Sequence, residues 1–279
     1  MVAFQIFWFS VYWYGIFYFI SFLIWYFFLS FLGKKEYFKK YPMLQQTLTT
    51  HLDCLMIFLL LWVLIGGRLG HFLIYDFHDF HLQSFFMVWN GWMSFIGGII
   101  GVVFAVILFK VFFRLSWKEW LFLFDCILVV VPLGIFFWRL GNFLNQELYG
   151  IVFQNPGFSE WVVSFLKGIG FLHVYPQVDN ILRINTNLLS MLFEWILLLV
   201  LNVCIFFKMI KRNLFSVGLV SSIFVVGYGL FRFFLEYLRN DSQSEFVGIF
   251  TKSQRFFVFF LLFGCFLFFF VKRQNKKLL

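Results

Sequence analysis

Four polar blocks interrupt an otherwise apolar chain, and each places ionisable or hydrogen-bonding side chains at helical spacing. A charge at the centre of a bilayer costs about 2.5–3.5 kcal/mol, so it needs a partner or a task. The first block runs from Tyr228 through Arg232 to Glu236 and on to Arg239. Spacing of three and four residues puts all four on one helical face. Two arginines against one glutamate leave positive charge for an anion, although Arg232 and Glu236 neutralising each other would also explain them. The second block, Trp138 to Gly150, carries Arg139, Asn142 and Asn145 every three residues, followed by Glu147. Guanidinium and amide donors converging there suit a phosphate or a carbonyl, and a snorkelling arginine with a helix cap is the simpler alternative.

The third block, Gly66-Gly67-Arg68-Leu69-Gly70-His71, combines a GxxxG pair with an arginine in the outer half of a span. The fourth, Trp89 to Gly101, holds a second GxxxG pair in Gly97 and Gly101, with Gly98 beside it. Each alone is explained by close helix packing. Together, Arg68, Arg139 and Arg232 place three arginines in separate spans towards one leaflet, which points to an anionic lipid headgroup.

The elements that must position these residues are membrane helices. Of 279 residues 62% are hydrophobic and 13% charged, with a mean hydropathy of +0.90. Soluble domains run near 45–50% apolar and about 25% charged, so a water-soluble fold is excluded. Apolar windows fall at 9–32, 52–74, 92–113, 120–138, 188–207, 214–238 and 256–271, each long enough to cross the hydrocarbon as a helix. The fold expected is therefore an all-α integral membrane protein of seven spans, a single domain over 1–279, with residues 140–187 forming a small outer head that includes an amphipathic element. The connections after spans one, three, five and seven hold 14 of the 22 basic residues, so they are expected to be cytoplasmic, with the N-terminus outside and the C-terminus inside.

The net charge of +9 is on this reading a topology signal, and no nucleic acid is expected as a partner. The N-terminal run carries no basic residue or cleavage site and is taken as an uncleaved span. Cys54, Cys126, Cys204 and Cys265 lie far apart and are expected to be packed and unligated. No soluble cofactor is implied, since neither a phosphate-cradling loop nor a dinucleotide fingerprint occurs. His78 and His81 with Asp76 and Asp79 do not amount to a metal site in so short a loop. The absence of an internal repeat argues against a transporter.

These blocks resemble, in order, those of the bacterial prolipoprotein diacylglyceryl transferase family. Trp13-Tyr14-Gly15 is similar to that family's WYG, Gly66 to Gly70 to its GGRIG, and Trp89 to Gly98 to its WDGGMSFHGG. Arg139 to Glu147 resembles the RxGNFxNxE signature, and Gly227 to Arg239 the GYGxFRxxxEFxR block. The resemblance implies transfer of the diacylglyceryl group of phosphatidylglycerol to the lipobox cysteine of a prolipoprotein, at the outer face of the inner membrane. It implies Arg139, Arg232, Glu147, Glu236 and Tyr14 as catalytic residues. Headgroup binding would fall to Arg139, Asn142, Asn145, Arg68, Tyr228, Arg239, Gly97 and Gly98. The non-enzymatic alternative is a relative that binds anionic lipid or prolipoprotein without transfer.

The chain departs from the family pattern in two places. Ile96 stands where the family has the histidine of MSFHGG, and Arg183 to Ser190 retains little of RHPSQLYE, although Glu194 matches a later glutamate. Isoleucine cannot take a proton, and a free thiol with pKa ~8.5 must lose one to attack near neutral pH. Glu147, Glu236 and His71 are the candidate substitutes.

Overall fold

The computed structural model describes all residues except 1, 7–8, 75–80, 88–92, 212–216, 241–245 and 277–279. Among the described residues six helices are long and apolar enough to span a membrane: Gly15–Gly33, Leu52–Leu73, Trp117–Leu144, Thr186–Lys211, Leu219–Glu236 and Ser253–Arg273. The third window of the sequence is represented by a shorter apolar stretch, Ile96–Phe112. The chain is a multi-pass membrane protein. Its spans expose many large apolar side chains, among them Phe19, Phe27, Phe259, Phe266 and Phe269. On helices of this kind lipid tails, not water, are the natural solvent for such groups.

The chain divides into two compact units, residues 25–124 and residues 1–24 with 125–279. The division falls within α1 (Trp13–Gly33) and α6 (Trp117–Leu144).

In the first of these units α2 (Pro42–Thr49) and α3 (Leu52–Ile74) lead to α4 (Leu82–Phe86) and α5 (Phe95–Phe112). The α3–α5 pair packs through glycine. A Cβ on Gly66 would lie 2.9 Å from Gly101 Cα, and one on Gly97 would lie 2.8 Å from Gly70 Cα. Only backbone without side chains approaches so closely, which is the packing that GxxxG spacing permits. The start of α6 is a capping box: Ser116 N donates to Glu119 Oε2 at 3.0 Å, and Glu119 N to Ser116 Oγ at 3.4 Å. Glu119 Oε1 also accepts from Met43 and Leu44 N, so one buried carboxylate closes the N-termini of α6 and α2 together.

The other unit opens with β1 (Val2–Ile6) paired antiparallel to β2 (Phe9–Tyr12), so α1 begins at Trp13 and not at Phe9 as the apolar window suggests. After α6 come α7 (Glu160–Gly168) and a small hairpin of β3 (Leu172–Val174) and β4 (Leu182–Ile184). One long helix follows in three parts: α8 (Thr186–Ser190), a π-helical segment Met191–Leu197, and α9 (Leu198–Lys211). Next are α10 (Leu219–Glu236), the short pair β5 (Phe246–Val247) and β6 (Phe250–Thr251), and α11 (Lys252–Lys276). Helix α10 starts against a carboxylate of α6. Asp125 accepts from Gly218 N at 2.6 Å, Ser221 N at 2.8 Å and Ser221 Oγ at 2.6 Å. That satisfies donors which a buried helix end would otherwise leave unpaired. Helix α11 starts with a second capping box, in which Thr251 and Gln254 exchange hydrogen bonds.

Of the four cysteines only Cys126 is fully buried, while Cys204 and Cys265 lie on exposed helix faces and all four are unbridged. The expectation of uniformly buried thiols is corrected to that extent. In α7 the apolar face of Trp161, Phe165 and the adjoining Ile169 stays exposed, as an interfacial amphipathic element would require.

Candidate functional site

Five charged side chains, four from three helices and Arg239 from just beyond α10, meet inside the second unit. Arg139 Nε and Nη2 of α6 donate to Glu194 Oε2 at 3.3 and 3.2 Å. Arg232 of α10 reaches both acids, with Nη1 3.9 Å from Glu194 Oε1 and Nη2 3.0 Å from Glu236 Oε2. Arg239 Nη1 donates to Glu236 Oε1 and Oε2 at 3.0 and 2.9 Å. All five residues are buried, Glu194 completely. Removing charges from water is costly, and removing one partner of such a buried pair costs about 3–5 kcal/mol. A chain keeps such a cluster inside spans only for a reason.

Local sequence explains each position. Helix α6 continues six residues past Trp138, where the apolar window ends, so Arg139 and Asn142 occupy its last turns. It then stops in a Schellman arrangement: Gln146 N donates to Phe143 O, Glu147 N donates to Asn142 O, and Gln146 is left-handed with φ 56°. The signature thus builds a helix terminus as well as a site. Asn142 is buried, whereas Asn145 lies past the helix and donates from Nδ2 to Glu147 Oε1 at 3.1 Å, with Glu147 exposed. The chain after the terminus is tied back by the segment that departs most from the family pattern. Thr186 Oγ1 donates to Leu148 O, Asn187 Nδ2 to Glu147 O, and Arg183 Nη1 to Gly150 O. Asn185 Oδ1 caps α8 by accepting from Leu188 N, and also accepts from the Tyr175 hydroxyl.

Helix α10 ends at Glu236, so Arg239 is not on it, and the expected single helical face is corrected there. Arg239 is brought back by bridging to Gly150, with Ile151 N donating to Leu238 O at 2.9 Å. Tyr228 is buried one turn before Arg232 and stacks on Phe224 at 5.7 Å.

Outside the spans, Asp179 and Arg183 form an ion pair, with Arg183 Nε donating to Asp179 Oδ2 at 3.1 Å. The hydrogen bond from Arg183 holds the Asp179 carboxyl below its ordinary range. Burial lowers His173, which packs against Phe143 and Tyr175, and pushes the Tyr175 hydroxyl up to about 12.

Arg68, Gly97 and Gly98 belong to the other unit. Arg68 is fully buried and donates to the carbonyls of Ser84 and Phe85, the latter at 3.2 Å, closing the end of α4. Gly97 is taken up in the α3–α5 crossing, while a Cβ on Gly98 would meet nothing within 4 Å among the described residues. Ile96 is half-buried and His71 packs its ring near Phe72. The side chain of Tyr14, and residues 75–80 and 88–92, which include Asp76, His78 and Asp79, lie outside the described part.

The residue missing from the expected site is Glu194. Its signal is plain in retrospect: it is the single acid in the apolar run from Leu188 to Phe207. It also sits in the π-helical segment, a local widening frequent at functional sites.

A buried cluster of three arginines and two glutamates within a multi-pass helical protein defines the class: a polytopic membrane protein with a charged centre among its helices. The model of the prolipoprotein diacylglyceryl transferase family matches residues 1–270. The chain is 35% identical over 222 residues to a phosphatidylglycerol--prolipoprotein diacylglyceryl transferase of Coxiella burnetii, covering 78% of this chain and 77% of that protein. The Legionella pneumophila protein of the same name is 36% identical over 221 residues, covering 77% and 78%. That of Ralstonia pickettii is 32% identical over 220 residues, covering 72% and 70%. The chain belongs to the prolipoprotein diacylglyceryl transferase family.

Proposed function

We propose that the chain transfers the diacylglyceryl group of phosphatidylglycerol to the lipobox cysteine thiol of prolipoproteins, forming a thioether and releasing glycerol phosphate. The observation that carries this reading is the convergence of Arg139 and Arg232, from separate spans, on one buried carboxylate. Two guanidiniums aimed at a common point form a clamp for a phosphodiester. They stabilise the charge that grows on phosphate as the glyceryl C–O bond breaks, and a water-poor site strengthens that effect. Asn142, Asn145, Tyr228 and Tyr14 orient the headgroup, and Arg239 fixes Glu236 beside Arg232. Glu147 and Glu236 complete the catalytic set.

The working topology is seven spans in the bacterial inner membrane, with α5 as the third, the N-terminus outside and the C-terminus cytoplasmic. Residues 140–187 form the outer head and receive the prolipoprotein signal peptide. The basic connections after spans one, three, five and seven support that orientation. The test is glycerol phosphate release by purified protein in phosphatidylglycerol micelles with a lipobox peptide. Release should require the peptide cysteine and fall by at least about 10²-fold in Arg139→Ala. Lipid binding with no release from the wild-type chain would overturn the reading.

A further inference from the structure

A thiol that attacks carbon must lose its proton, and Ile96 offers no acceptor. Three carboxylates are buried in the described part of the unit that holds the arginines: Asp125, Glu194 and Glu236. Asp125 is fully engaged by the start of α10, with both oxygens accepting at 2.8 Å or less. Glu236 is held by Arg232 and Arg239, and both of its oxygens lie within 3.0 Å of a guanidinium nitrogen. Glu194 differs. Its Oε2 accepts from Arg139 Nε and Nη2, while Oε1 accepts no hydrogen bond among the described residues and lies 3.9 Å from Arg232 Nη1. This oxygen is completely buried, next to the residues that would hold the phosphate, on a π-helical segment that lets the side chain project between α6 and α10.

We infer that Glu194 is the proton acceptor for the attacking thiol, with Oε1 as the receiving atom. The inference rests on the transferase reading above and adds the identity of the base. Before lipid binds, Arg139 and Arg232 share the carboxylate between them. When the phosphodiester arrives, the same guanidiniums turn part of their hydrogen bonding to phosphate, and the Glu194 carboxylate is freed to meet the thiol. The thiol S–H bond gives its proton to Oε1 and sulfur forms a bond to the glyceryl carbon. The C–O bond to phosphate breaks with its electron pair remaining on oxygen. Glu194 then returns the proton to the departing phosphate ester. The charged and titratable groups facing Glu194 are Arg139 from α6 and Tyr228, Arg232 and Glu236 from α10, with Arg239 just beyond that helix.

The experiment compares wild type with Glu194→Gln, using lipobox peptides that carry either cysteine or selenocysteine. A selenol is ionised near neutral pH and needs no base. With the cysteine peptide, Glu194→Gln should lose about 10²–10⁴-fold in kcat, keep KM for phosphatidylglycerol, and lose the acid limb of the pH–rate profile. With selenocysteine most of that loss should disappear. An unchanged kcat, a loss confined to KM, or a loss that selenium does not relieve would overturn the assignment and leave Glu194 as a positioning residue for the arginines. Glu194→Asp keeps the charge and covers failure of the Gln variant to accumulate. It should be slow with cysteine and near wild type with selenocysteine, and a loss equal for both peptides would overturn the assignment. A wild-type chain inactive with either peptide would instead refute the transferase reading itself.

Discussion

Arg139 and Glu194 are 55 positions apart, lie on different helices, and meet with nitrogen and oxygen 3.2 Å apart where neither is open to solvent. The pair is an element of the fold and, in the proposed function, the centre of the chemistry, and the two roles can be separated. Arg139→Met strands a buried glutamate and should cost about 3–5 kcal/mol of stability, whereas Arg139→Met with Glu194→Met removes both charges and should recover most of it. Activity should be absent from both. Unfolding in mixed micelles beside the release assay checks this, and recovered activity in the double variant would refute the clamp.

The α3–α5 crossing is stated in glycines. In Gly97→Ala the new methyl would lie 2.8 Å from Gly70 Cα, and in Gly98→Ala it would meet nothing within 4 Å. Thermal unfolding in detergent should show about 1–3 kcal/mol lost by the first and within about 0.5 kcal/mol of wild type for the second. Equal losses would mean that the helices do not approach through this face.

Much of this was legible in the sequence because arginine in an apolar span is an anomaly that demands an explanation. Arg139, Arg232 and Glu236 declare themselves in that way, and the GxxxG pairs announce a crossing by spacing alone. Glu194 is readable by the same rule, as the single acid of its apolar run. Its pairing with Arg139 depends on which helices become neighbours, which local periodicity does not contain. The end of α6 was hidden because hydropathy falls at Arg139 while the backbone hydrogen bonds continue to Leu144. At the N-terminus, the apolar run before Trp13 fits strand or helix equally well by composition. The capping boxes Ser116–Glu119 and Thr251–Gln254 were present as S-x-x-E and T-x-x-Q and would have fixed two helix starts.

Asp125 ties the start of α10, and with it the placement of Arg232, to α6. Asp125→Ala would leave Gly218 N and Ser221 N unpaired in a buried setting. The expected loss is about 1–3 kcal/mol in the same unfolding measurement, with Asp125→Asn losing less. An Ala variant as stable as wild type would show that the cap carries no weight.

The segment around β3 and β4 should open in two acid steps. His173 is lowered by burial, so the opened state binds its proton more readily. Stability is full above the unfolded value of about 6.5 and declines as pH falls below it, until His173 is also protonated in the closed form. Asp179 is likewise lowered, so its contribution is full above about 3.9 and is lost as pH falls through its folded value. Amide protection across residues 172–184, measured against the pH-dependent intrinsic exchange rate, should therefore fall first below about pH 6.5 and again below about pH 4. His173→Phe should remove the first step and Asp179→Asn the second. Retention of either step in its own variant would refute the assignment.

The most direct test of the transferase is the mass of the lipobox peptide after incubation with purified protein and phosphatidylglycerol of defined acyl chains. The expected result is a gain equal to one diacylglyceryl group, resistant to neutral hydroxylamine, which cleaves thioesters and leaves a thioether and the acyl esters intact. It should be absent when the peptide cysteine is replaced by serine and absent with Arg139→Ala. An unmodified peptide in the presence of bound lipid, or a modification that does not depend on the cysteine, would contradict the proposed function.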